Sequence, residues 1–183
     1  MNQLPNIKAG IDASYKTNEQ AKQILADQGF VMDDQLSGKR AKVFLDGEGK
    51  PVVSFTGTHN RHDVLTDAMI MAGLGKYTKR VKHSKKVVKD VKNKYGEGPQ
   101  AIGHSLGGYL AENSGAKNVV TYNKLALPFQ SKNPFQTDIR TSNDMASVFS
   151  NRKNKNITLK SKSWNPFVAH STKSLKNKNA IKK

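Results

Sequence analysis

The chain has no cysteine among its 183 residues. That absence excludes a disulfide framework, a thiol nucleophile and a cysteine-based zinc site, and it fits a reducing cell interior without requiring one. Long apolar runs are missing as well. None approaches the roughly 18 residues of a membrane span, and the first residues lack the cationic stretch followed by an apolar one that marks a signal peptide. The sequence therefore reads as soluble, placed in the cytoplasm or carried in a larger assembly such as a virus particle. Acids are scarce too: 31 Lys and Arg stand against 14 Asp and Glu, a formal charge of +17 with a pI near 10. From Lys76 to Lys94 nine basic residues face one acid, Asp90, and after Asp144 there are ten basic residues and no acid. Such runs read as a solvated face and a Lys/Asn-rich terminus, as attraction to anionic lipid headgroups at roughly 1 kcal/mol per basic residue, or as binding to nucleic-acid phosphate.

What is present has the order of a layered α/β fold. Residues 18–29 predict a short helix with Ala21, Ile24 and Leu25 on one side and Gly29 as its C-cap. The runs 41–45 and 51–55 flank Asp46-Gly47-Glu48-Gly49 and predict a hairpin. Apolar residues at helical intervals from Tyr77 to Tyr95 predict an amphipathic helix whose outer face is almost all lysine. Short apolar runs at 99–102 and 119–122, with Pro128 closing the second, predict buried strands, and a further strand is expected near 138–142. Strands separated by helices indicate a mainly parallel sheet with helices on its faces. The expected organisation is an N-terminal helical segment over 1–40 packed on the core, a core over 41–172, and a basic, flexible tail over 173–183.

The most informative motif is Gly103-His104-Ser105-Leu106-Gly107-Gly108. In a Gly-x-Ser-x-Gly elbow the serine occupies a strained strand-to-helix turn, and a Cβ two residues to either side would collide with the chain. The helix start would direct free N–H groups toward a reacting carbonyl. A serine hydroxyl needs a base, and the base needs an orienting carboxylate. In the α/β-hydrolase chain order the acid and then the histidine follow the serine. Downstream of Ser105 there is a single histidine, His170, and only three acids: Glu112, Asp138 and Asp144. Glu112 falls two turns into the nucleophile helix and reads as a helix-surface residue. Asp144, in the loop cluster Ser142-Asn143-Asp144 after a strand, is favoured over Asp138, which is expected just before that strand. The oxyanion hole needs two backbone N–H groups; Leu106 offers one, and Thr58, in Phe55-Thr56-Gly57-Thr58, offers the other.

With these pieces in place the chain resembles the class 3 lipases, the fungal-lipase-like branch of the α/β-hydrolases. The matching stretches are Phe55-Thr56-Gly57-Thr58, Asp63-Val64-Leu65-Thr66-Asp67-Ala68, the Ser105 elbow, the strand and loop over 119–128, Asn143-Asp144 and Ala169-His170. The resemblance implies an α/β-hydrolase and ester hydrolysis on lipids: Ser105 as nucleophile, His170 as general base and then acid, Asp144 holding the imidazole, and Thr58 with Leu106 as the oxyanion hole. It implies no metal and no cofactor. Where the family usually carries arginine, tryptophan and a proline after the acid, this chain has Thr56, Val64 and Met145. A small lid is expected in the methionine-bearing stretch 68–75, or that stretch is an ordinary core helix. The cationic surface beside an ester site favours phospholipids in anionic membranes as substrate. The competing expectation is a non-catalytic, basic scaffold that binds nucleic acid or sits within a larger assembly.

Overall fold

The computed structural model describes residues 4–58, 76–126, 133–147, 155–161, 164–176 and 180–182. The predicted stretches at 63–68 and 68–75, and Pro128, lie outside the described residues.

Helix α1 (Leu4–Ser14) is followed by α2 (Asn18–Ala26). Thr17 starts α2 by accepting a hydrogen bond from the Gln20 N–H, and Gly29, at φ 75°, turns the chain out of it. Next come β1 (Val31–Met32), β2 (Ala41–Leu45), β3 (Pro51–Phe55), the long α3 (Lys76–Tyr95), β4 (Gln100–His104), α4 (Leu106–Glu112), β5 (Val119–Tyr122) and β6 (Gln136–Thr141). The chain closes with β7 (Lys155–Leu159), α5 (Pro166–His170), a 3-10 turn (Thr172–Lys176) and β8 (Ala180–Lys182). The eight strands form one sheet in chain order. β1, β2 and β3 pair antiparallel, β3 through β7 run parallel, and β8 returns antiparallel to β7. This is the expected α/β architecture, a mainly parallel sheet flanked by helices.

The period-two alternation of strand side chains divides the core into two layers. Val43, Val53, Ala101 and Val119 face one way, toward Val87, Val88 and Val91 of α3 and Leu106 and Leu110 of α4. Phe44, Val52, Ile102 and Val120 face the other, toward Ile7 and Ile11 of α1 and Ala21 and Leu25 of α2. With each such aliphatic side chain contributing about 1.5–3 kcal/mol on full burial, both layers are needed to hold the sheet. α3 is amphipathic as predicted: Val87, Val88 and Val91 are buried while Lys82, Lys85, Lys86, Lys89 and Lys92 are exposed. Its far end is tied down by Asp33, whose carboxylate accepts hydrogen bonds from Lys94 Nζ and the Tyr95 hydroxyl, each at 2.7 Å.

Two expectations need correction. Asp138 does not precede a strand; it lies inside β6, 1% exposed. Glu112 is not a helix-surface residue, because its carboxylate pairs at 2.7 Å with the fully buried ammonium of Lys124. In addition, β7 and β8 were not expected. Regular structure thus reaches into the segment read as a flexible tail, where β8 borrows the ladder of β7 rather than forming on its own propensity.

Candidate active site

Ser105 stands between β4 and α4 at φ 57°, ψ −126°, in the left-handed region that L-residues avoid at a cost of about 1–3 kcal/mol. The surrounding glycines explain how the turn is tolerated. A Cβ on Gly103 would strike the carbonyl of Gly107, and one on Gly107 would strike the carbonyl of Phe55 at the end of β3. The turn also presses α4 against the sheet, and Leu125 N–H anchors it by donating to Ser105 O at 3.0 Å. The serine is 1% exposed, and its Oγ has no hydrogen-bond partner among the described residues.

Asp144 follows β6 by three residues, at the carboxyl edge of the sheet where open α/β sheets place their sites. It is 3% exposed, and its Oδ2 accepts from the Ser147 N–H at 3.0 Å. Its Oδ1 lies 2.6 Å from Nδ1 of His170, the last residue of α5. A carboxylate can only accept, so Nδ1 carries a proton, and in the neutral ring Nε2 is the acceptor nitrogen. That Nε2 is buried and has no hydrogen-bond partner among the described residues. The geometry therefore leaves an imidazole nitrogen and a serine hydroxyl, each without a partner among the described residues, at one edge of the sheet.

Two residues bring these groups together. His104, immediately before the serine, donates from Nε2 to the carbonyl of His170 at 2.7 Å, and its Nδ1 accepts from the Tyr15 hydroxyl at 3.0 Å. The two imidazole rings are 4.7 Å apart between centroids. Asn123, fully buried with φ 40°, sits at the end of β5. Its Oδ1 accepts from Thr141 N at 2.7 Å and its Nδ2 donates to Ala169 O at 2.9 Å. One amide thus ties the strand leading to Asp144 to the helix carrying His170. Sequence reading missed Tyr15, His104 in this bracing role, and Asn123; only His104, inside the elbow motif, carried a signal.

Asp138 is engaged elsewhere. Its carboxylate accepts from the Thr121 hydroxyl at 2.6 Å and Gln136 Nε2 at 2.8 Å, and Lys124 Nζ is 3.2 Å away. Leu106 is the first residue of α4, directly after the serine, and Thr58 lies three residues beyond β3. Thr56, where the resemblance expects arginine, is buried and donates its hydroxyl to Ser14 O at 2.7 Å; an arginine from α3, Arg80, donates to the Thr56 carbonyl at 2.6 Å. Among the described residues no His, Asp and Glu cluster suited to a metal ion occurs, and no helix is long and apolar enough to cross a membrane.

Comparison with known proteins gives three findings. A family model described as a phospholipase-like, Tle-like phospholipase domain matches residues 6–162. No curated protein matches the chain. Among solved structures, a mutant form of MDLA from Penicillium cyclopium is similar at 13% identity and a TM-score of 0.49, over 88% of this chain and 77% of that one.

Proposed function

The chain belongs to the Tle-like phospholipase domain family, and from that premise we propose that it hydrolyses carboxylic esters of phospholipids, in the manner of the class 3 lipases, through Ser105, His170 and Asp144. The observation that supports this reading is a strained Ser105 whose neighbour His104 is bonded to the carbonyl of His170, the histidine that Asp144 orients, with Ser105 Oγ and His170 Nε2 both left without a partner among the described residues. In this reading Nε2 takes the serine proton as Oγ attacks the ester carbonyl. The backbone N–H groups of Leu106 and Thr58 hold the oxyanion, and the imidazolium then gives its proton to the departing alkoxide. Water repeats the cycle on the acyl-enzyme and releases a fatty acid. The catalytic core spans 41–172, with 1–40 packed against it. The charge of +17 favours anionic membranes as the place of action.

The test is hydrolysis of phosphatidylglycerol vesicles and p-nitrophenyl esters by wild type and Ser105→Ala, with lipid products identified. Fatty acid and lysophospholipid from wild type alone support the reading. Phosphatidic acid as the product would replace it with phosphodiester chemistry. No turnover above the variant would turn the balance to the non-catalytic scaffold, with nucleic acid or a larger assembly as partner.

A further inference from the structure

A second feature of the molecule stands apart from Ser105. Between the turn at residues 36–41 and α3 runs a groove of about 380 Å³ with an apolar floor of Leu36, Ala41 and Val87 and a rim of Lys39, Arg40 and His83. We propose that this groove is a binding site for a phosphate-type anion bearing an apolar substituent, held by Arg40 with Lys39 and His83.

Charge supports this first. Among the described residues no carboxylate lines the groove. Lys22, Lys50, Lys86, Lys94 and Lys124 each have an acidic partner, whereas Lys39 and Arg40 make no ion pair among the described residues. Among the described residues three cations, Arg40, Lys86 and Arg80, act on His83, and the one acid that does so, Asp90, is already paired with Lys86. Burial first, and then these cations, hold the His83 imidazole below its ordinary value. At neutral pH it is thus an uncharged ring with one N–H to donate.

Rigidity supports it as well. Thr56 N–H donates to Arg40 O at 3.1 Å, the Thr56 hydroxyl reaches Lys39 O at 3.2 Å, and Arg80 grips the Thr56 carbonyl. The backbone beneath Lys39 and Arg40 is therefore fixed to the segment that leads to Gly57 and Thr58. A guanidinium fork suits a phosphate better than a point charge does, and the aliphatic floor suits whatever the phosphate carries. A lipid headgroup and a soluble phosphoester share this chemistry.

The experiment uses the full chain as Ser105→Ala, so that failure of the esterase reading does not touch it. His83 is followed by NMR during titration at constant ionic strength with inorganic phosphate, and separately with dihexanoylphosphatidylglycerol below its micelle-forming concentration. Binding moves the His83 midpoint to higher pH saturably, because an anion in the groove offsets the cations. It leaves His170 unmoved. Arg40→Ala weakens the response about tenfold or more, the loss expected for a charge-assisted bond, and Arg40→Lys weakens it less. Saturation by the lipid at far lower concentration than by inorganic phosphate is expected, because the apolar floor then holds what the phosphate carries; equal saturation by both overturns the role given to the apolar floor. No response, a response matched by chloride, or one unchanged in Arg40→Ala overturns the proposal.

Discussion

Ser105, Asp144 and His170 have separable contributions, and substitutions can tell them apart. On the proposed reading Ser105→Ala removes the nucleophile, and turnover of p-nitrophenyl esters is expected to fall by about 10⁴-fold or more. Asp144→Asn keeps the shape but lets His170 adopt the other tautomer, with a comparable loss of roughly 10⁴-fold in kcat. Asp138→Asn is expected to leave kcat within a few-fold of wild type, because that carboxylate faces Thr121, Gln136 and Lys124. Loss of activity there, with Asp144→Asn active, would exchange the two aspartates. Asn123→Ala orphans the Thr141 N–H and the Ala169 carbonyl, at a cost of about 1–3 kcal/mol in urea unfolding. It should lower kcat more than it raises KM, since the loosened parts are the strand and helix behind the acid and base.

At the scale of elements, the connection between Asp33 and the end of α3 has a defined pH dependence. Burial of Asp33 works to raise its carboxyl, but the hydrogen bonds from Lys94 and Tyr95 outweigh it and leave the group below its ordinary value. A lowered carboxyl contributes stability above its unfolded value of 3.8 and loses it as pH falls through the folded value. Asp33→Asn is therefore expected to cost about 1–3 kcal/mol at pH 7, with the gap to wild type closing below pH 3.8. Burial, and then the bond to Asp33, push the Tyr95 phenol up to about 12. That group holds its contribution up to the ordinary value of 10.0 and loses it as pH rises from there. Thermal melts across pH check both limbs.

The same scale shows what was legible in the chain. The hairpin, α3, the strand before the elbow, and β5 declare themselves through apolar periodicity, and Gly103 and Gly107 mark the elbow, where a Cβ would strike backbone. β7 and β8 were hidden because Lys155, Asn156 and Thr158 give no apolar alternation, and a polar run becomes a strand only when a neighbour supplies the ladder. Glu112 misled because its partner Lys124 is buried by tertiary packing that helical position does not reveal. The order of Ser105, Asp144 and His170 could be read in advance; the braces Tyr15 and Asn123 could not, since each acts across the fold on a residue far along the chain.

For the whole molecule, the proposed attraction to anionic membranes gives a prediction about charge. Lys82, Lys85 and Lys89 share one exposed face of α3. Replacing all three with glutamine should weaken partitioning to phosphatidylglycerol vesicles by about 3 kcal/mol, at roughly 1 kcal/mol per charge near the surface, which is on the order of a hundredfold. Vesicle sedimentation at low salt measures this, and raising the salt should erase the difference between wild type and variant. A change of less than fivefold would mean that the helix does not face the membrane.

The sheet keeps its strands in the order in which the chain is written. During synthesis each strand can meet a neighbour made just before it, so assembly can follow the ribosome, N-terminal parts first. Ser105 is therefore seated in its turn well before Asp144 and His170 exist. On the proposed reading the nascent protein carries a nucleophile that has nothing to give its proton to, and it is harmless to the esters around it until the α5 segment has emerged and docked.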